Sequence, residues 1–442
     1  MKSNDPLLDA WQATLARKAG EPAVFDTRGE VVLTFGDIET QARFFQDQMQ
    51  NRARGDIHAI DIGNDPAWPA IFLACLRQEL VALPLDEATT AAQRDAVVKF
   101  CRAQSWSDRP PALLKLTSGT TAAPRAIRFQ SAQLLVDCEQ ICDTMGISDA
   151  DVNFGVIPVS HSYGLSNLIT PLLVRGVPLV LSRDRVPRAV LDDLKRARAT
   201  VFPGMPVFYQ AFAQMDSVPA LPHLRLCISA GAPLSLPVAQ KFRAHFGHSI
   251  HSFYGSSECG GICYDREALL VEQGFVGAPM EGVTVRPLDS GNGTSCIEVR
   301  SAATGDGYFP EPDDEKLGGG RFVPDDLLTP SSGGYCITGR VSDVINVAGK
   351  KVNPAEVEAV LLGCEGVREA VVFGRGSTLR NEEVAACIVA EASVSETELL
   401  EFCRRRLSGW QVPKRIFLLA EMPMTERGKI SRRALTERFA AM

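Results

Sequence analysis

Apolar positions recur along this chain in two different rhythms. Short apolar runs of strand length, HAIDIG (58–63), VALPLD (81–86), ALLKL (112–116) and AIRF (126–129), punctuate the first part. Between the first two, PAWPAIFLACLRQEL carries Ile71, Leu73, Ala74 and Leu76 and reads as a helix. SAQLLVDCEQICDTMG places Leu134, Leu135, Cys138, Ile141, Cys142 and Met145 at i, i+1, i+4, i+7, i+8 and i+11, which is one face of a helix. Strand, helix and strand in that order make a βαβ unit, and PLVLSR, TVFPGM, LRLCISAG and HSIHSFYG continue the alternation. The Gly- and Pro-rich GGGRFVPDDLLTPSSGG reads as a long loop near a boundary.

Beyond Gly339 the texture becomes that of a compact α+β block. Asn353 as N-cap, Pro354 at N1 and Glu356 at N3 predict a helix opening in VNPAEVEAVLL. Ser395 and Glu398 form a capping box for a second helix whose apolar face is Leu399, Leu400, Cys403 and Leu407, ending at Gly409. REAVVFG and EVAACIVAE between them read as strands. The expected architecture is α/β, with a large domain of βα units and packed sheets over residues 1–340 and a small, mobile α+β domain over 341–442.

Composition narrows the class. A chain of 442 residues exceeds one compact core. The net charge of −7 excludes nucleic acid as the main partner, because phosphate backbones need a basic face. No apolar run is long enough to span a bilayer, and MKSNDPLLDAWQ lacks the pattern of a secretory leader. Twelve scattered cysteines without a CxxC pair read as reduced, mostly buried thiols of a cytoplasmic protein.

Four segments carry candidate chemistry. LTSGTTAAPRAI (116–127) packs small and hydroxyl residues between two strands. Backbone N–H groups in such a nest can surround a phosphate without Walker geometry, although the same residues also make ordinary solvated turns. FYGSSE (253–258) offers a tyrosine to stack on a base, hydroxyls for a phosphate and Glu258 for Mg²⁺, which prefers oxygen ligands. IPVSHSYG sets His161 and Tyr163 among apolar residues, where a lone histidine is more often a core residue. MTERGKISRRAL surrounds Lys429 with Arg427, Arg432 and Arg433; alone, such a run is usually a solvated basic patch.

In this order the segments resemble the adenylate-forming (AMP-binding) superfamily of acyl-CoA synthetases, luciferases and adenylation domains, over nearly the whole chain. TSGTTAAPRAI resembles the phosphate loop, PVSHSYG the segment lining the acid pocket and SAGAPL the strand-turn beside adenine. YGSSE is similar to the Tyr-Gly-x-Thr-Glu signature with Ser257 for Thr, and PDDL stands where Thr-Gly-Asp-Leu is usual. ITGRVSDVINVAGKKVNPAEVE resembles the crossing into the small domain, and RGKISRRAL the ending that carries the catalytic lysine. Seven motifs in the right order agree across levels.

The resemblance implies two half-reactions: a carboxylate attacks the α-phosphate of ATP to give acyl-AMP and pyrophosphate, and a thiol then takes the acyl group. Lys429 and Glu258 would be the catalytic pair, Lys429 neutralising charge between carboxylate and α-phosphate and Glu258 holding Mg²⁺. Thr117, Ser118, Gly119, Thr120, Thr121 and Arg125 would hold the β- and γ-phosphates. Gly231, Ala232 and Pro233 would lie beside adenine, with Tyr254 stacked on it and Gly255 and Ser257 alongside. Asp326 would accept from the ribose hydroxyls and Arg340 would add a fixed charge nearby. His161, Tyr163, Asn167 and Phe253 would line the acid pocket, with Met205 and Ala230. Ser342 would be the hinge and Gly349 part of the thiol tunnel.

Departures from the family pattern qualify these roles. Ala122 and Ala126 replace glycines of the phosphate loop and Arg125 replaces its lysine, which predicts altered loop dynamics or pyrophosphate handling in a working site. A connecting segment before ALLKL is missing. Phe253 stands where many relatives have a small residue, so it either narrows the pocket toward a flat aryl or short-to-medium acyl group or is a core phenylalanine. No basic residue awaits a second carboxylate and no aspartate awaits an amino group, so a simple monocarboxylic acid is the expected substrate. Coenzyme A is the preferred acceptor, the phosphopantetheine of an acyl carrier protein the alternative. A non-catalytic interaction protein keeping the fold, and a general ATPase or kinase, are the other classes. The sequence leaves monomer and homodimer both open.

Overall fold

The computed structural model describes residues 5–102, 106, 109–116, 125–288, 295–377, 381–423 and 432–439. The chain divides into two compact units: residues 1–286 with 298–324 and 331–336, and residues 287–297 with 325–330 and 337–442.

The first unit holds the βα pattern in two sheets. In one, the strands Phe275–Pro279, Gly260–Tyr264, Ile250–Ser256, Leu226–Ser229, Val201–Gly204, Asn153–Gly155, Leu179–Leu181, Pro22–Phe25 and Val31–Thr34 lie side by side in that order. Its centre is parallel, from Ile250–Ser256 through Leu226–Ser229 and Val201–Gly204 to Asn153–Gly155. Of these, VFPG, LCIS and NFG are buried along their whole length, as parallel strands covered on both faces must be. The core beside them gathers Phe154, Phe202, Phe208, Tyr209, Phe212 and Phe242. The second sheet has the order Gly307–Phe309, Ala126–Phe129, Leu113–Leu116, Val81–Pro84, Ile57–Ile60. The helix Ser131–Met145 forms where its apolar face predicts, and Gly146 ends it in the left-handed conformation.

The Gly-rich stretch read as a long loop is instead strand-bearing. Leu317–Gly318 and Arg321–Phe322 pair across Gly319 and Gly320, whose φ values of +58° and +74° make the turn. Asp326–Ser331 and Gly334–Arg340 are further strands.

The second unit is a sheet of Lys350–Val352, Ile345–Val347, Asn381–Ala390 and Val367–Ser377, with Arg415–Leu419 parallel to Asn381–Ala390. The helix Pro354–Leu362 starts at Asn353, which caps Ala355 N–H. Glu396–Arg404 starts at the Ser395–Glu398 capping box. It ends at Arg404, short of Gly409: Arg406 N–H closes a tight turn on the Cys403 carbonyl, so Leu407 lies past the helix. All twelve cysteines are free, and all but Cys296 and Cys364 are buried. Among the described residues no helix is long and apolar enough to cross a membrane.

Candidate active site

The two strands flanking the hydroxyl-rich loop form a hairpin, from Leu113↔Phe129 to Leu116↔Ala126. Thr117, Ser118, Gly119, Thr120, Thr121 and Ala122 lie outside the described residues, but both anchors of their loop are fixed. Ala126 sits inside its strand and is fully buried, so the φ > 0 that glycine offers is not needed there.

Arg125, where the chain re-enters the sheet, lays its guanidinium 4.0 Å from the centroid of the Tyr308 ring. It also lies 3.4 Å from the Glu311 carbonyl and 3.8 Å from the Asp313 carboxylate. Tyr308 reaches this place because Gly307–Phe309 pairs with the strand leaving the loop. Its hydroxyl donates to Glu258 Oε1 at 3.1 Å. Burial first, and then the Glu258 charge, push the Tyr308 phenol far up, so it remains a donor at any ordinary pH. The turn bearing Glu258 is pinned by Glu258 N–H and Cys259 N–H on Ser256 Oγ, each at 3.2 Å, and by Gly305 N–H on the Glu258 carbonyl at 2.9 Å. Arg125, Tyr308 and Glu258 thus form one connected set at the foot of the loop.

Glu258 is a half-buried hard-oxygen donor, which suits Mg²⁺ sharing phosphate oxygens. Cys259 next to it is buried, and burial pushes its thiol up. It therefore stays protonated and offers no thiolate.

Of the residues expected at the acid pocket, Tyr163 and Asn167 lie on a short helical segment with a π turn, Ser162–Gly164 followed by Leu165–Ile169. Tyr163 donates to the Gly204 carbonyl at 3.2 Å, and burial pushes its phenol well up. The Phe253 ring, 7% exposed, lies with its centroid 5.8 Å from that of Tyr163, so Phe253 faces the Tyr163 side. Asn167 donates to the Tyr163 carbonyl at 3.1 Å, while its buried Oδ1 has no hydrogen-bond partner among the described residues. His161 is no core residue: it is half-exposed, with Nε2 3.8 Å from Asp86 Oδ2. Met205 is partly buried against the core, Ala230 is buried, and Gly231, Ala232 and Pro233 directly after it are exposed. Tyr254 is buried, Gly255 exposed and Ser257 half-buried.

In the second unit Arg340 Nε donates to Asp326 Oδ1 at 2.8 Å, which joins the two residues expected at the ribose. Ser342 lies in the 3₁₀ turn Val341–Asp343. Gly349, at φ +85°, follows Ala348, at φ +51°, in a two-residue hairpin turn, and its N–H bonds Asn346 Oδ1 at 2.9 Å. Lys429 lies outside the described residues. Just after it, Arg432 binds Asp343 at 2.6 Å, Glu358 at 2.8 Å and the Val372 carbonyl at 3.0 Å. Tyr308 and this Arg432 clamp were not legible as site residues: Tyr308 lies in the apolar triplet GYF, and Arg432 is one of several arginines in a basic run.

Profiles described as AMP-binding enzyme and AMP-binding enzyme C-terminal domain match residues 103–309 and 356–429, together more than half of the chain. The chain belongs to the AMP-binding enzyme family. A probable CoA ligase of Humulus lupulus is 26% identical over 343 residues, 74% of this chain and 65% of the relative's length. A 3,4-dihydroxybenzoate–[aryl-carrier protein] ligase of Bacillus anthracis is 27% identical over 328 residues, 74% of this chain and 73% of its own. ATP-bound MatB from Rhodopseudomonas palustris shares the fold, with a TM-score of 0.85 at 22% identity over 98% of this chain and 99% of that one.

Proposed function

We propose that the protein activates a carboxylic acid with ATP as acyl-AMP, releasing pyrophosphate, and then passes the acyl group to coenzyme A. The observation that carries this reading is the connected Arg125–Tyr308–Glu258 set at the foot of the hydroxyl-rich loop. It presents a cation and a positioned carboxylate where β- and γ-phosphates would meet a metal ion. Mg²⁺ bound by Glu258 would supply charge neutralisation on the phosphate oxygens. Thr117, Ser118, Thr120 and Thr121 would orient the triphosphate, and Arg125 would fix the base of their loop. Tyr254, the Gly231–Pro233 loop, Asp326 and Arg340 would hold the nucleoside, and Lys429 would sit between the acid carboxylate and the α-phosphate. Ser342 and Gly349 would serve the change to the thiol-transfer state.

The buried Tyr163–Phe253 ring pair supports a flat aryl or short-to-medium acyl substrate, since a long chain would have to displace Phe253. The aryl-carrier-protein ligase among the relatives favours a second reading, transfer to the phosphopantetheine of a carrier protein. Acid-dependent ATP–pyrophosphate exchange across aryl, fatty and amino acids tests the first half-reaction, with Lys429→Ala expected to abolish it. Adding coenzyme A or a carrier protein then identifies the acceptor. A folded, ATP-binding protein that never forms AMP with any acid overturns the proposal.

A further inference from the structure

One buried carboxylate joins two of the segments just described. Asp137, on the helix Ser131–Met145, is 3% exposed. One of its oxygens accepts the Ser166 hydroxyl, from the π turn of the acid-pocket segment. The other accepts Gly261 N–H at 3.1 Å, from the strand that leaves the Glu258 turn. The fit is close: a Cβ built on Gly260, whose φ is +72°, would fall 1.9 Å from Asp137 Oδ1, so only glycine lets the backbone close on this carboxylate.

A third segment contributes a buried lysine. Lys115, on the strand feeding the phosphate loop, is 5% exposed, and its Nζ has no hydrogen-bond partner among the described residues. It stands 4.3 Å from the centroid of the Phe129 ring. Burial drives the Lys115 ammonium toward its neutral form, and the charge that opposes this most is that of Asp137. A carboxylate buried this deeply needs hydrogen-bond partners, and Asp137 finds them in the acid-pocket turn and in the strand after Glu258.

We propose that Asp137 is a positioning residue that mechanically couples the acid-pocket turn to the Glu258 segment, so that filling the nucleotide site also stiffens the acid pocket. The inference rests on the ligase reading above. The carboxylate touches no reacting atom. It acts through Ser166 on the turn that holds Tyr163 and Asn167, and through Gly261 on the strand following Glu258. Both bonds end on one side chain, so motion of either segment is felt by the other.

The test needs no knowledge of the acid. Hydrogen exchange of the full chain is followed with and without α,β-methylene-ATP and Mg²⁺, reading residues 253–264 and 162–175. In the wild type both segments become protected, the second by about tenfold, the size of an ordinary coupling between sites. In Ser166→Ala residues 253–264 keep their protection and residues 162–175 lose theirs. With the acid giving the fastest wild-type pyrophosphate exchange, the same variant raises the KM for acid roughly fivefold while the KM for ATP stays within about twofold, a split that loss of stability alone does not produce. Should Ser166→Ala fail to fold, Asp137→Asn/Lys115→Met keeps volumes and net charge and turns an amide donor toward Ser166. It shows the same loss in smaller degree. Undiminished protection of 162–175 in the folded variant, or protection confined to 253–264 in the wild type, overturns the coupling. A wild type in which the analogue protects neither segment, and which shows no exchange with any acid, overturns the ligase reading and takes this inference with it.

Discussion

Replacing Tyr308 with phenylalanine removes one hydroxyl and leaves the ring under Arg125 in place. The hydroxyl lies 3.1 Å from Glu258 Oε1 and belongs to a residue only 7% exposed. A hydrogen bond to a charged acceptor contributes about 1.5–3 kcal/mol, and the half-exposed Glu258 argues for the lower end. About 1.5 kcal/mol corresponds to roughly tenfold in an equilibrium or rate constant. If that bond holds Glu258 for the metal, Tyr308→Phe lowers kcat/KM for ATP–pyrophosphate exchange roughly tenfold and raises the Mg²⁺ concentration for half-maximal rate, while the melting temperature moves by only a few degrees. Arg125→Gln removes a cation–π contact at a side chain that is 34% exposed, and such contacts contribute about 0.5–1 kcal/mol, so its effect is two- to fivefold. In a Tyr308→Leu background the Arg125 effect should shrink by the part that the ring transmits, since the two residues are in contact. Wild-type kcat/KM and wild-type Mg²⁺ dependence in Tyr308→Phe would show that the Tyr308 hydroxyl does not hold Glu258 for the metal.

Two further predictions concern the scaffold. Arg432→Gln removes the cation that binds both Asp343 and Glu358; its side chain is 33% exposed, so the cost is about 2 kcal/mol rather than the larger penalty of a fully buried pair, read by calorimetry. Exchange activity should fall with it, while nucleotide binding stays, since the clamp fixes the chain directly after Lys429. The second is a pH effect: burial pushes the Asp151 carboxyl up, but the Arg225 fork, Ser148 N–H and the Thr200 hydroxyl outweigh it and hold it below the usual range. A depressed folded-state pKa gives stability that is present above the unfolded value and lost as pH falls, so Asp151→Asn should be less stable than wild type at pH 7 but lose less stability between about pH 5 and pH 3.

Much of the fold was legible because local chemistry decides it. The Ser395–Glu398 box and the Asn353 cap start their helices where the spacing predicts, since each side chain satisfies an orphan N–H of its own first turn. The stop of the first of these was misread by several residues because Leu407 continues the apolar period past the tight turn at Cys403. The strands hidden in GGGRFVPDDLLTPSSGG were missed for the opposite reason: their glycines are hairpin turns, and hairpins and loops share a composition. Candidate site residues recognisable by motif, such as Glu258 and Asp326, could be named, but the candidates Tyr308 and Asp137 could not. Their partners are 50 residues away at Glu258 and 124 away at Gly261, and only tertiary packing brings them together.

Attack of the acid on the α-phosphate is tested most directly by incubating the protein with ATP, Mg²⁺, coenzyme A and the carboxyl-¹⁸O-labelled acid that best supports exchange, then analysing the nucleotide by mass spectrometry. AMP carrying one ¹⁸O from the acid is the expected product; ADP, or AMP free of label, would contradict attack at the α-phosphate.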